Sequence, residues 1–143
     1  MITKLRHVGI VVRDLEDSRN FYEKLLGLKV YKDSHEEGQF INEVLGLEKV
    51  RVQTVKLKTP EGGIVELLYY YSPLSPRINP RKIHETGITH LAVTVENLDQ
   101  EYERLRQAGV MFNSPPKYSS DGYAKVAFCQ DPDGNFIELV EVL

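Results

Sequence analysis

The sequence has little cysteine, no excess of basic charge and no long apolar run. Its single cysteine, Cys129, excludes a disulfide within the chain, and a reducing cytoplasm is the simplest location to expect. The net charge is −3 and no extended run of Lys or Arg occurs, which argues against nucleic acid and anionic membranes as partners. Its apolar runs reach about eight residues, whereas a transmembrane helix needs about 20. Residues 1–6 lead directly into a strand pattern and lack the apolar segment of a signal peptide.

Two segments of the first half recur in the second half, in the same order. Residues 6–15 align with 89–98, and both segments carry a histidine in a strand-like pattern. Residues 60–68 align with 132–140, and both segments carry a glutamate within an apolar run. One such match could arise by chance, but two in the same order indicate an internal duplication.

The composition supports one folded domain built from the two repeats. Hydrophobic residues make up 41% of the 143 residues and charged residues 27%, so a packed core is expected and disorder is not. We predict a single domain over residues 1–143, with a module at 1–71, a linker at 72–87 and a second module at 88–143.

Each module is predicted to form a strand, a helix and three further strands, which is an α+β fold. Asp14 and Asn97 are suited to cap the first turns of the two helices, and Gly27 and Gly109 to end them. Turn sequences at 59–63 and 131–135 are typical of hairpins. One extra helix is expected within 34–49, in the first module only. The strands expected after the helices are 28–33, 50–58 and 63–71 in the first module, and 110–113, 123–129 and 135–142 in the second.

Strand alternation separates the histidines from the bulky apolar side chains. Successive side chains of a strand point to opposite faces, so Val8 and Ile10 share one face while His7 and Gly9 share the other. The bulky face should be covered by the helix of the module. Because Gly9 is small, room for a pocket is expected beside His7, and the second module repeats this arrangement with His90 next to Ala92.

The two glutamates occupy positions inside otherwise apolar strands. An isolated buried carboxylate is very costly, so each needs a compensating partner. A divalent cation shared by His7, Glu66, His90 and Glu138 would provide that compensation, and such N/O ligands suit Zn²⁺, Ni²⁺, Co²⁺, Fe²⁺ or Mn²⁺. Each residue also has a purely structural interpretation, as a hydrogen-bonded core histidine or a solvent-facing glutamate.

These motifs resemble the vicinal oxygen chelate superfamily, also called the glyoxalase/bleomycin resistance protein/dioxygenase family. The resemblance implies two βαβββ modules that form a curved mixed sheet of half-barrels around a metal pocket, with helices on the outer face. It also implies a homodimer, and it places the metal ligands at His7, Glu66, His90 and Glu138. The motifs that carry it are His7–Leu15, Phe21–Leu28, His90–Val93 and Asp131–Glu138.

The ligand set His-Glu-His-Glu is similar to that of bacterial glyoxalase I, whereas methylmalonyl-CoA epimerases usually carry Gln at the position of Glu66. The resemblance implies a metal-dependent lyase or isomerase that acts on a small molecule with two adjacent oxygens. Proton transfer would pass through a metal-bound enediolate, with Glu138 or Glu66 as the catalytic base. The alternatives are an epimerase of a keto-cyclitol, sugar or acyl-CoA compound, a non-catalytic small-molecule binding protein of the resistance type, and a dioxygenase.

One departure from the glyoxalase I pattern follows Glu66. The chain continues as Leu67–Pro73 where those proteins usually have a Thr-x-Asn-type sequence, which argues against glutathione as the thiol.

Two further histidines, His35 and His84, are expected in surface loops, and Cys129 is expected to fill core space.

Overall fold

The structure, a computed structural model, describes residues 1–76 and 81–143. The chain divides into two compact units, Met1–Arg77 and Ile78–Leu143. Residues 77–80, which fall within the predicted linker at 72–87, lie outside the described residues. No helix among the described residues has the length and apolar character that crossing a membrane requires.

The first unit is one four-stranded mixed sheet with two helical segments. The strand order is β1-β4-β3-β2, and β1 is parallel to β4 while the other neighbours are antiparallel. Helix α1 continues as a π-helix over Asn20–Leu25. The elements are β1 (Val8–Val11), α1 (Leu15–Arg19), β2 (Lys29–Glu37), α2 (Gln39–Leu45), β3 (Arg51–Lys58) and β4 (Ile64–Ser72).

The second unit repeats this topology without the extra helix. Its strand order is β5-β8-β7-β6, again with the first strand parallel to the last. The predicted βαβββ pattern is therefore confirmed in both halves. The elements are β5 (His90–Thr94), α3 (Leu98–Gln107), β6 (Lys117–Tyr118), β7 (Ala124–Gln130) and β8 (Phe136–Val142).

The helix ends agree with the signals read from the sequence. Asp14 Oδ1 accepts a hydrogen bond from the backbone N–H of Asp17 at 2.9 Å, and Asn97 caps α3 in the same way. Gly109 follows α3 with a φ of 88°, the left-handed conformation that favours glycine after a helix.

The main core lies on the sheet faces that the helices cover. In the first unit α1 packs against β4, and Val12, Tyr22 and Leu67 are at most 1% exposed. In the second unit α3 packs against β7 and β8, and Leu105 and Leu139 are equally buried. Helices α1 and α3 thus cover the bulky apolar faces, as predicted, and the histidines and glutamates lie on the opposite faces.

Helix α2 packs on that opposite face in the first unit. Its Ile41 forms a small apolar cluster with Val52, which is joined by Leu68 and Tyr70 of β4. Leu68 and Tyr70 alternate with the core residue Leu67, so they lie on the same face as Glu66. The extra helix within 34–49 is therefore confirmed, and it forms an apolar wall on the face of the predicted site.

Two local predictions were wrong. His35 was expected in a loop, but it lies in β2, which extends to Glu37; its side chain and that of His84 are exposed as expected. A strand was expected at 110–113, but Phe112 forms only an isolated bridge with Cys129, and the edge strand β6 comes later in the chain.

Candidate metal-binding site

The first unit brings His7 and Glu66 together. The parallel register pairs Gly9 with Glu66, and His7 precedes Gly9 by two residues, so all three lie on one face. His7 Nε2 lies 3.0 Å from Glu66 Oε2. A Cβ at position 9 would lie 3.3 Å from Leu68 Cδ1, closer than an ordinary contact, so the glycine keeps this part of the face open.

Lys56 completes the surroundings of the Glu66 carboxylate. It faces Glu66 in the antiparallel register of β3 and β4, and its Nζ lies 3.2 Å from Glu66 Oε1. Glu66 is only 8% exposed, so each carboxylate oxygen needs a partner, and the imidazole and the ammonium supply them. Its charge also affects Tyr70: burial and then the nearby Glu66 carboxylate raise the pKa of that phenol.

The second unit brings His90 and Glu138 together in the same way. The parallel register pairs Ala92 with Glu138, and His90 Nε2 lies 3.2 Å from Glu138 Oε2. The other ring nitrogen, Nδ1, lies 2.9 Å from Thr89 Oγ1, a contact that fixes the plane of the imidazole. This pair is more open than the first, since the side chains of His90 and Glu138 are 37% and 22% exposed.

The two pairs differ in the residue that faces the glutamate. Phe128 occupies the position in β7 that Lys56 occupies in β3, and its ring packs edge-to-face on His90 with centroids 5.4 Å apart. A carboxylate flanked by an ammonium in one unit is therefore flanked by an aromatic ring in the other. Sequence reasoning missed Lys56, although the hairpin at 59–63 was recognised and its symmetry pairs Lys56 with Glu66.

The four residues predicted as metal ligands are thus placed as two pairs, one in each unit. In each pair an imidazole nitrogen lies close to a carboxylate oxygen, at 3.0 Å in the first unit and 3.2 Å in the second. Such nitrogen and oxygen donors suit a divalent transition metal. Within residues 1–76 and 81–143, no group of three or more His, Cys, Asp or Glu side chains is arranged to hold a metal ion. A single pair supplies too few ligands for a closed metal site.

Comparison with known proteins identifies the family. The model of the Glyoxalase/Bleomycin resistance protein/Dioxygenase superfamily matches residues 4–139. The chain belongs to this superfamily. Its two four-stranded sheets are the βαβββ half-barrels of the glyoxalase fold, and neither sheet is closed.

Curated proteins that are similar to this chain are named lactoylglutathione lyase. The protein of Schizosaccharomyces pombe is 32% identical over 144 residues, which cover 96% of this chain and 47% of that protein. The protein of Escherichia coli O157:H7 is 29% identical over 138 residues, which cover 96% of this chain and 92% of that protein. The chain therefore spans about half the length of the yeast relative and nearly all of the bacterial one.

Solved structures show the same fold. A glyoxalase family protein from Bacillus cereus superposes with a TM-score of 0.90 over 100% of this chain and 96% of that chain, at 23% identity. The trypanothione-dependent glyoxalase I of Leishmania major gives a TM-score of 0.69 at 26% identity, covering 98% of this chain and 87% of that chain.

Proposed function

We propose that the chain is a metal-dependent enzyme of the glyoxalase I type, a lyase or isomerase that moves a proton on a small substrate with adjacent oxygens. The repeated His–Glu pair carries the proposal, because each half of the duplicated fold holds one imidazole within 3.2 Å of one carboxylate. The lactoylglutathione lyases among the relatives support the reaction class.

The proposed metal ligands are His7, Glu66, His90 and Glu138. A divalent cation of the Zn²⁺, Ni²⁺, Co²⁺, Fe²⁺ or Mn²⁺ type would polarise the substrate oxygens and so acidify the neighbouring C–H bond. Imidazole nitrogens are borderline donors and carboxylate oxygens are hard donors. This mixture accommodates any of these ions, so the donor set does not discriminate among them.

Glu138 is the better candidate for the residue that moves the proton. Both oxygens of Glu66 are engaged, Oε2 by His7 and Oε1 by Lys56. In the part of the chain that the structure describes, only Oε2 of Glu138 has a partner, His90. Glu138 is also more exposed, so its carboxylate has both a free oxygen and room to approach a substrate C–H.

The two glutamates can be separated by substitution. Both residues are proposed ligands, so both substitutions should lower metal content while keeping the fold. At equal metal loading, Glu138→Gln should remove most turnover, whereas Glu66→Gln should not, because both oxygens of Glu66 are already engaged. Elemental analysis measures the metal, circular dichroism checks the fold, and exchange of substrate hydrogen with D₂O measures proton transfer. Near-normal exchange by Glu138→Gln would remove the proposed role of that residue.

The type of reaction can be tested with a panel of candidate substrates. Hemithioacetals of methylglyoxal with glutathione and with other thiols test the lyase reaction, and methylmalonyl-CoA and keto-cyclitols test epimerisation. A protein that contains stoichiometric metal and exchanges none of these would have to act on another small molecule; one that binds no metal would support a binding role instead. The expected homodimer remains a prediction that light scattering can test.

A further inference from the structure

A cavity of about 360 Å³ opens beside His7 within the first unit. Lys56 also lines it, together with Lys4, Arg6 and Glu61. Small-molecule pockets begin at roughly 300 Å³, so the cavity has room for a small ligand or for one end of a larger one. Because His7 belongs to both, the cavity is continuous with the candidate metal-binding site.

The charge of this cavity is opposite to that of the whole chain. Three cationic side chains and one carboxylate line it, although the net charge of the chain is −3. A concave surface of one sign concentrates ligands of the opposite sign. Among the described residues, Lys4 and Arg6 form no ion pair with an acidic side chain, so both charges are available to a ligand.

The basic side chains that line the cavity carry donors that suit an oxyanion. The ammonium of Lys56 uses one N–H donor for Glu66 Oε1, which leaves two of its three donors for a ligand. The guanidinium of Arg6 has five N–H donors in a planar fork. Another positive charge lies close to the wall: Lys58 Nζ is 5.7 Å from the centroid of the Tyr31 ring, which lines the cavity.

The two glycines in the wall formed by the β3–β4 turn contribute no free N–H donors to the cavity. Gly62 and Gly63 line this side, but the N–H of Gly62 donates to Thr59 O and that of Gly63 to Thr59 Oγ1. Recognition of an anion therefore depends on the side chains of Lys4, Arg6 and Lys56. Substitution of these side chains can test whether the cavity binds an anion.

The duplicated half provides an internal comparison. In the alignment of the repeats, Lys4 and Arg6 correspond to Gly87 and Thr89, since His7 corresponds to His90. Two further cations are replaced in β7, at the positions that face β8 as β3 faces β4: Lys56 by Phe128 and Lys58 by Gln130. The second half keeps the fold and the His–Glu pair without any of these cations, so neither the fold nor the pair accounts for them.

We propose that this cavity binds an oxyanion group, a carboxylate or a phosphate, of the substrate that reacts beside His7 and Glu66. The substrate is then a small organic anion, and neutral dicarbonyls and neutral sugars are poor substrates. That the bound anion belongs to the substrate rests on the proposed function, whereas the binding of an anion does not.

Anion binding is measured first, on the full chain after treatment with a chelator, so that no metal competes for the probes. Inorganic phosphate and malonate are titrated separately at constant ionic strength, and NMR follows the amides of Arg6, Gly62 and Gly63. The test variant is Lys4→Gln with Arg6→Gln. The control is Lys24→Gln with Lys117→Gln, two exposed lysines outside the cavity whose loss changes the net charge equally.

We expect the wild type and the control to bind at least one probe equally, and the test variant to bind it at least about tenfold more weakly. The probe that binds more tightly identifies the group as a phosphate or a carboxylate. Equal affinities of all three proteins, or no saturable binding of either probe, would overturn the anion site.

Turnover then tests whether the anion belongs to the substrate. With an anionic substrate and its neutral ester, the test variant should lose kcat/KM on the anion only. Equal losses on both would overturn this part while leaving the anion site in place. A protein that binds phosphate but shows no hydrogen exchange with any substrate would contradict the proposed function and not the anion site.

Discussion

Lys56 faces Glu66 across the β3–β4 hairpin, and its ammonium lies 3.2 Å from the carboxylate oxygen that His7 does not contact. The ion pair satisfies a carboxylate that is only 8% exposed, so Glu66 is stabilised in the fold before any metal binds. The same ammonium is a like charge for an approaching cation. Lys56 therefore both orders the carboxylate and opposes the metal that the carboxylate is proposed to hold.

Lys56→Gln is expected to tighten metal binding. Removing a positive charge next to a proposed ligand should raise the affinity roughly tenfold, after allowance for solvent screening at a partly exposed side chain. Competition with a chromophoric chelator measures the dissociation constant for Zn²⁺ and Ni²⁺. Lys58→Gln is the matched control, because it removes the same charge from the same strand. Its ammonium lies over the Tyr31 ring, whereas the lysine that pairs with Glu66 is Lys56. Weaker binding by Lys56→Gln would show that ordering of the carboxylate outweighs charge repulsion.

Leu67→Ala should destabilise the first half by about 2–5 kcal/mol, as for other large-to-small changes in a core. Leu67 is 0% exposed and follows Glu66 in β4, on the helix-covered face. The chain has no tryptophan, so urea unfolding is best followed by far-UV circular dichroism. Leu74→Ala, at a position 77% exposed, should change the free energy of unfolding by less than about 0.5 kcal/mol. Equal effects of the two variants would contradict the assignment of this core.

The repeats made the fold and the candidate residues predictable. The aligned segments at 6–15 and 89–98 fixed the two opening strands, and the turns at 59–63 and 131–135 fixed the two closing hairpins. Alternation within these strands then placed His7 on the face of Gly9, where the structure has it. These signals are local, because a few adjacent residues determine both the alternation of a strand and the composition of a turn.

The remaining differences depend on contacts that local patterns do not contain. Residues 110–113 do run beside β7, since the N–H of Asn113 donates to Phe128 O and the N–H of Gln130 donates to Met111 O, but the pairing amounts to the single bridge of Phe112 with Cys129. Pro115 and Pro116 follow, and their missing N–H groups interrupt the ladder before β6 begins. The π-helix was also not predicted; it buries the adjacent residues Phe21 and Tyr22, which helical periodicity alone would not place together.

Cys129 is predicted to be inert to thiol reagents in the folded protein. It is 0% exposed, and burial, followed by the nearby charge of Asp131, raises the pKa of its thiol to about 12. A chromogenic disulfide reagent at mildly alkaline pH should label it only after unfolding in guanidinium chloride. Rapid labelling of the native protein would contradict this burial.

The same thiol makes stability depend on pH in the alkaline range. Its unfolded pKa is near 9.0 and its folded pKa is near 12, so its contribution to stability is complete below about pH 9 and is lost as the pH rises toward 12. Between pH 8 and pH 10 the wild type should lose roughly 1 kcal/mol more of its free energy of unfolding than Cys129→Ala does. Parallel losses in the two proteins would show that the thiol ionises equally in both states.

Phe128→Lys should reproduce in the second half the arrangement that Lys56 creates in the first. Phe128 faces Glu138 in the β7–β8 register, so a lysine there would bring an ammonium to the carboxylate that is proposed to move the proton. Metal affinity should fall roughly tenfold for the reason given for Lys56, with the sign reversed. Proton exchange should fall as well, since an ion-paired Glu138 loses its free oxygen.

Phe128→Leu is the control for the lost ring. It removes the edge-to-face contact with His90 without adding charge, so it should keep the metal affinity while Phe128→Lys loses it. Circular dichroism of both variants shows whether the second sheet remains folded. If Phe128→Lys folds and binds metal as tightly as the wild type, Glu138 is not a ligand, and the difference between the two halves does not set the affinity. If both variants weaken binding equally, the ring acts by holding the imidazole of His90, and the charge at this position has no separate effect.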